Sequence, residues 1–321
     1  MTLCPGMAQF VAETDAIYAG LGGHETLAAQ RAHYDDVYSA RFRRTRPAGV
    51  TVEDRTVGVR QHNVPIRIYR PERARGLPPP PVVQYMHGGG WVLGSIASHD
   101  CITAEIAHAT GAAVVSVDYR LAPEHPFPAA FEDCYGVMEF IAQSGTELGV
   151  DVGRFVVAGD SSGGNLAAAL ALAARNQAGV ALAGQVLIYP VLSDGFEMPS
   201  HTENAHAPML QTAEMRKFWR LYLGGADTTL SPYAAPLLAA SFTQLPPAYI
   251  ATAGYDPARD DGLAYAQGLR QVNVDAAYVC ADDLAHGWLR ARVMSPSAAR
   301  AFDGVIAAIR AMVAGAERMH R

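Results

Sequence analysis

A chain of 321 residues, half of them hydrophobic and only 17% charged, can bury roughly three quarters of its unfolded surface, which excludes intrinsic disorder and a charged coiled coil. Its net charge of −6 excludes a broad basic footprint for nucleic acid and disfavours an anionic membrane surface, so small molecules are the expected partners. Cys4, Cys101, Cys134 and Cys280 show neither CxxC spacing nor the density of a disulfide scaffold, which predicts reduced thiols and no zinc site.

The first 48 residues scatter Phe10, Val11, Ile17, Leu27, Val37 and Phe42 through polar sequence, as amphipathic helices do. Glu13 and Asp15 stand where a secretory leader is apolar, and no run approaches the roughly 18 apolar residues of a membrane span; a cytoplasmic location is the expectation. From about residue 49 the text alternates β-rich runs with helical stretches, which predicts a mainly parallel sheet with helices on both faces. The strands are expected at 52–60, 64–70, 82–86, 113–117, 154–158, 185–189, 248–253 and 275–279, the first two as an antiparallel edge pair. The helices are expected near 101–108, 129–143, 162–175, 260–271 and 298–314. A segment at about 192–225 breaks the alternation and carries a further helix over 212–223, with Thr212 as its N-cap. Insertions of that size are usually lids or binding loops, so this segment and residues 1–48 are expected to cap the C-terminal edge of the sheet, with 49–321 as the catalytic domain.

The chemistry concentrates where an apolar strand runs into Gly159-Asp160-Ser161-Ser162-Gly163 and then an Ala/Leu-rich helix. GxSxG between strand and helix is the context of a nucleophile elbow, whose flanking glycines avoid clashes around a strained serine. Serine needs a base to take its proton and a third group to orient that base. Among the downstream histidines, His201 and His206 fall in the insertion and His320 in the tail, whereas His286 falls in the loop just after a predicted strand. The acid should also follow a strand, and Asp256 does so in Ala253-Gly-Tyr-Asp256; Asp260 and Asp261 read more simply as acids of a helix first turn, and Asp282 and Asp283 are weaker still. Acyl transfer further needs donors for a developing oxyanion. His87-Gly88-Gly89-Gly90-Trp91 ends a strand with bare glycines, and no GK[ST] or Rossmann glycine pattern accompanies it, so Gly88 and Gly89, joined by the N–H of Ser162, are the expected donors.

These motifs, in this order, resemble the hormone-sensitive-lipase-like esterases, a branch of the α/β-hydrolases: His87-Gly-Gly-Gly-Trp91, Gly159-Asp-Ser-Ser-Gly-Gly164, Asp256-Pro-Ala-Arg-Asp260, His286-Gly287 and the block running from Asp118 through Arg120 and Pro123 to Ala130. The resemblance implies an eight-stranded, mostly parallel α/β-hydrolase sheet with a helical cap, a Ser161, Asp256 and His286 triad, an oxyanion hole of Gly88, Gly89 and Ser162, short- to medium-chain acyl esters as substrates, no metal or organic cofactor, and a homodimer. Ser162 replaces the more usual Ala, and Trp288 the more usual Phe. Trp91, Leu210, Phe218 and Trp288 are expected to wall the substrate pocket. An amidase with the same triad and a non-catalytic receptor on the same fold are the alternatives; such receptors lack the catalytic histidine, which this chain keeps as His286.

Overall fold

Eight strands form one sheet in the order β1-β2-β4-β3-β5-β6-β7-β8. The computed structural model describes residues 2–19, 26–74, 76–177 and 179–319. The strands are β1 (Val50–Val59), β2 (His62–Pro71), β3 (Pro81–Met86), β4 (Ala113–Val117), β5 (Asp151–Asp160), β6 (Gly184–Ile188), β7 (Ala248–Tyr255) and β8 (Ala276–Ala285). The helices among the described residues are α1 (Pro5–Tyr18), α2 (Leu27–Ala32), α3 (Asp100–Thr110), α4 (Ala129–Gln143), α5 (Gly145–Leu148), α6 (Ser162–Gln177), α7 (Pro199–Glu203), α8 (Thr212–Tyr222), α9 (Arg259–Gln271), α10 (Trp288–Ala291) and α11 (Pro296–Met319), with a π-helical turn at His33–Ser39 and a 3-10 turn at Pro236–Leu238. β1 and β2 pair antiparallel, as does β2 with β4, and every other pairing is parallel.

Alternation along the central strands divides the core in two. Val82, Met86, Val115, Val117, Phe155 and Val157 face one layer with α4, α6 and α9, while Val83, Tyr85, Val114, Val156 and Ala158 face the other with α3 and α11. β3, β4 and β6 are buried along their whole length, which is why their sequences are mostly apolar, with one polar residue each (Gln84, Ser116 and Gln185), rather than alternating. In α6 every residue from Ser162 to Ala174 is buried, and its run of alanines keeps the helix close to the sheet.

The topology also sets the site. In the sheet register Met86 lies opposite Gly159, so the loop after β3 and the turn after β5 leave the same edge side by side. Tyr255 lies opposite Ala285, so the residues that follow, Asp256 and His286, leave that edge from neighbouring strands.

The insertion between β6 and β7 extends from Tyr189 to Pro247 and holds α7 and α8. The first residue of α8 is Thr212, but the N-cap is Gln211, whose N–H donates to the Glu214 carboxylate at 2.9 Å. A glutamate at the third helical position satisfies an orphan donor better than a threonine at the first, which the apolar pattern alone does not separate. The block from Asp118 to Ala130 ties the sheet to this insertion and to the N-terminal segment. Arg120 chelates the buried Asp133 carboxylate (Nη2 to Oδ1 2.8 Å), the Phe127 N–H donates to the Tyr222 carbonyl at 2.7 Å, and Arg31 pairs with Glu124 at 2.7 Å while donating to the Val92 and Ala122 carbonyls. No described helix is long and apolar enough to cross a membrane. All four cysteines are free thiols.

Candidate active site

Ser161 occupies the turn between β5 and α6 with φ +55°, a left-handed conformation that costs a non-glycine residue about 1–2 kcal/mol. The turn is locked at both ends, because the Ser161 N–H donates to the Ile188 carbonyl at 2.8 Å and its carbonyl accepts from Asn165 N–H at 3.1 Å. The flanking glycines are sterically obligatory. A Cβ on Gly159 would lie 2.3 Å from the Gly163 carbonyl oxygen, and one on Gly163 would lie 2.0 Å from the Met86 carbonyl oxygen.

Of the histidines and acids considered from sequence, the structure brings His286 and Asp256 to this serine. His286 Nε2 is 2.9 Å from Ser161 Oγ, and His286 Nδ1 is 2.7 Å from Asp256 Oδ2. With the carboxylate accepting at Nδ1–H, Nε2 is left to accept the serine proton. Asp256 is fully buried, and its other oxygen accepts from the Ala258 N–H at 2.8 Å. Gly287, at φ +76°, makes the turn that puts His286 over the serine. His201 instead faces Asp261, whose carboxylate accepts the Leu192 and Ser193 N–H groups and so tethers the base of the insertion. Asp260 binds Arg259 and the Ser200 N–H, and Asp283 binds the Ser297 hydroxyl. His320 lies outside the described residues.

The oxyanion loop departs from expectation at one position. The Gly88 N–H is not free: it donates to Asp160 Oδ1 at 3.1 Å. Gly89 and Gly90 line the cavity, with no acceptor for their N–H groups among the described residues, as does Ser162, whose N–H opens α6 and so lacks a helical partner. The reason is conformational. Positive φ angles at Gly89 (+133°), Gly90 (+62°) and Trp91 (+59°) turn the loop over after its first glycine meets Asp160, and the next two glycines line the cavity. The inward-facing half rests on Asp160, which also accepts the Tyr85 hydroxyl at 2.7 Å and lies 3.4 Å from His99 Nε2. Burial acts to raise the Asp160 pKa, but His99, Tyr85 and the charge of Arg290 outweigh it and hold the carboxyl well below the usual range.

His87 stacks on Tyr119 behind this loop, ring centroids 4.3 Å apart, and is fully buried. Burial, reinforced by the neighbouring His99, lowers its pKa from 6.5 to about 4. Because the unfolded chain binds that proton more readily, the stability His87 contributes is complete above about pH 6.5 and is lost as the pH falls towards 4. Urea unfolding at pH 7 and pH 5 is expected to differ by about 2 kcal/mol from this histidine, and His87→Gln to flatten the pH dependence by that amount. An unchanged slope in the variant would remove His87 from the account.

Above the serine lies a cavity of about 610 Å³. Trp91, Leu210 and Phe218 line it as expected, and Phe218 rests so closely on the oxyanion loop that a Cβ on Gly90 would sit 2.6 Å from its ring. Trp288 does not line it. α10 starts at that residue and turns its side chain inwards, where it is fully buried edge-on to Tyr189 at 5.4 Å, and Tyr189 in turn packs 4.8 Å from the His286 ring. Sequence reasoning missed Gly90, the N-terminal residues Tyr18, Tyr34 and Tyr38, and Arg290. The tyrosines at 34 and 38 follow a helical spacing that reads as packing, and Arg290 reads as an ordinary surface charge.

Residues 83–290 match the family described as alpha/beta hydrolase fold. The chain belongs to that family. It is 42% identical over 250 residues to Esterase LipI of Mycobacterium tuberculosis, covering 78% of each chain, and 41% identical over 270 residues to Carboxylesterase NlhH of the same organism, covering 81% of this chain and 82% of that one. A solved hyperthermophilic esterase from the archaeon Pyrobaculum calidifontis superposes with a TM-score of 0.90 at 36% identity, over 97% of this chain and 99% of that one. Within the α/β-hydrolases the chain fits the hormone-sensitive-lipase-like esterases, and it is a carboxylic ester hydrolase.

Proposed function

We propose that Ser161, His286 and Asp256 hydrolyse short- to medium-chain acyl esters through an acyl-enzyme, with Gly89, Gly90 and Ser162 as oxyanion donors. The observation that carries this reading is the unbroken hydrogen-bond path from Ser161 Oγ through His286 to the buried Asp256, opening onto the cavity. His286 takes the Ser161 proton as the oxygen attacks the carbonyl carbon, and the resulting imidazolium is stabilised by Asp256. The tetrahedral oxyanion is held by backbone donors that need no reorganisation, each worth about 3 kcal/mol. It collapses with His286 protonating the leaving alcohol; water, deprotonated by the same histidine, then attacks the acyl-enzyme and releases the acid and Ser161.

Residues 1–48 and the insertion at about 192–225 serve in this reading as the cap over the catalytic domain. A cavity of about 610 Å³ suits a drug-sized ligand rather than a long lipid chain. A series of p-nitrophenyl esters is expected to give its highest kcat/KM at about four to eight acyl carbons and to fall at least tenfold by about twelve; a continued rise with chain length would overturn the substrate class. A matched p-nitroanilide is expected to turn over far more slowly than the ester. The reading also includes a homodimer and a cytoplasmic location. The outer edge of β8, which accepts the Cys4 N–H at the Asp283 carbonyl but leaves Val279 46% exposed, is a surface open to a second copy, and sedimentation velocity tests it.

A further inference from the structure

One charge in the catalytic cavity is not used by this mechanism. Arg290 lies one helical turn beyond His286, on α10, and is only 5% exposed, yet it lines the cavity. Its Nη1 donates to the Ser98 carbonyl at 2.8 Å, and its Nη2 stands 3.4 Å from the Tyr34 hydroxyl and 3.4 Å from His99 Nε2. The guanidinium carbon sits 5.4 Å from the centroids of both the Tyr34 and Tyr38 rings. None of these partners is an anion, and no described carboxylate lies within ion-pair distance of the guanidinium. Arginine is rarely buried without one, because the desolvation cost of an uncompensated charge is several kcal/mol.

The acid in the surrounding network, Asp160, offsets part of the guanidinium charge through space, but it stands behind His99, makes no ion pair with Arg290 and already accepts from Tyr85 and Gly88. Burial lowers the pKa of His99, which leaves its ring neutral and unable to compete for an anion. Tyr34 keeps its phenolic proton, since burial raises its pKa, and can donate it. The other two carboxylates lining the cavity, Asp15 and Glu214, are exposed and screened by solvent. What the cavity offers beside the nucleophile is therefore a planar fork of N–H donors with a phenol next to it, and the complement of that fork is a carboxylate.

We propose that Arg290 and Tyr34 form an anion subsite of the catalytic cavity, selecting esters that carry a carboxylate at the far end of their acyl or alcohol portion. This inference rests on Ser161 as the nucleophile of the same cavity. It is tested by comparing kcat/KM for three esters: p-nitrophenyl butyrate, which is neutral; p-nitrophenyl hydrogen glutarate, with the carboxylate on the acyl side; and p-carboxyphenyl butyrate, with it on the alcohol side. Arg290→Gln is expected to reduce kcat/KM for one of the two anionic esters about 30-fold more than for the neutral one, chiefly through KM, with Arg290→Lys recovering part of the loss. Tyr34→Phe is expected to cost that ester about threefold more than butyrate, and it supplies the same comparison if the arginine variants do not fold. Raising salt to about 0.5 M should raise KM for that ester alone. Equal losses on all three esters would show Arg290 to be purely structural and would overturn the subsite. Turnover of p-nitrophenyl butyrate by the unmodified enzyme reports on the catalytic reading by itself, so the two can fail separately.

Discussion

Replacing Ser161 with alanine is expected to lower kcat for p-nitrophenyl butyrate by about 10⁵- to 10⁶-fold while leaving the melting temperature within a degree or two. The side chain makes one polar contact, to His286 Nε2, and the backbone strain at φ +55° stays in place in the alanine variant. Asp256→Asn is expected to cost about 10⁴-fold, because an amide presents an N–H where Nδ1–H needs an acceptor and so favours the wrong imidazole tautomer. Ser161→Gly separates catalysis from strain. It should be as inactive as the alanine variant but more stable by up to about 1 kcal/mol, since glycine adopts the left-handed turn freely. Steady-state kinetics and thermal unfolding of the three variants check all of this. An alanine variant within tenfold of the parent would remove Ser161 from the mechanism.

The second large effect is structural. Gly163→Ala places a methyl 2.0 Å from the Met86 carbonyl oxygen and 2.7 Å from that of His87, and both obstacles are backbone that no rotamer change relieves. Either the elbow or the end of β3 must move, and both carry the proposed oxyanion donors. The expected outcome is a destabilisation of about 3 kcal/mol or more together with at least a 10³-fold loss of kcat/KM in whatever folds. Gly58→Ala is the control. Nothing lies within 4 Å of the added carbon there, and the change should be neutral within about 0.5 kcal/mol by urea unfolding. Similar behaviour of the two variants would mean that the elbow is not as tightly packed as its geometry requires.

Much of this architecture was legible because local and global signals agree. Seven strands fall within about three residues of their expected positions, since buried parallel strands such as β3 and β4 announce themselves as short apolar runs between turns, whereas β8 runs six residues beyond its expected end. The serine, acid and histidine could be chosen because each follows a strand, and the sheet order then carries all three to one edge.

The failures have a common physical origin, since they turn on direction rather than on residue type. Three consecutive glycines offer three equivalent donors in sequence, and only the positive φ run through Gly89, Gly90 and Trp91 distinguishes Gly88, held by Asp160, from the two glycines that line the cavity. Trp288 and Arg290 belong to the same short helix, and rotation about its axis sends the indole into the core and the guanidinium to the cavity wall. Likewise, no local pattern brings Tyr18, Tyr34 and Tyr38 of the N-terminal segment to a cavity whose nucleophile comes more than a hundred residues later in the chain.

The most direct test of the catalytic assignment is covalent trapping. An activated phosphonate ester, which mimics the tetrahedral intermediate once attacked, should add a single phosphonyl group that peptide mass mapping places on Ser161. Labelling should disappear in Ser161→Ala and slow by several orders of magnitude in His286→Ala. Stoichiometric labelling of another residue, or undiminished labelling of the Ser161→Ala protein, would contradict the account.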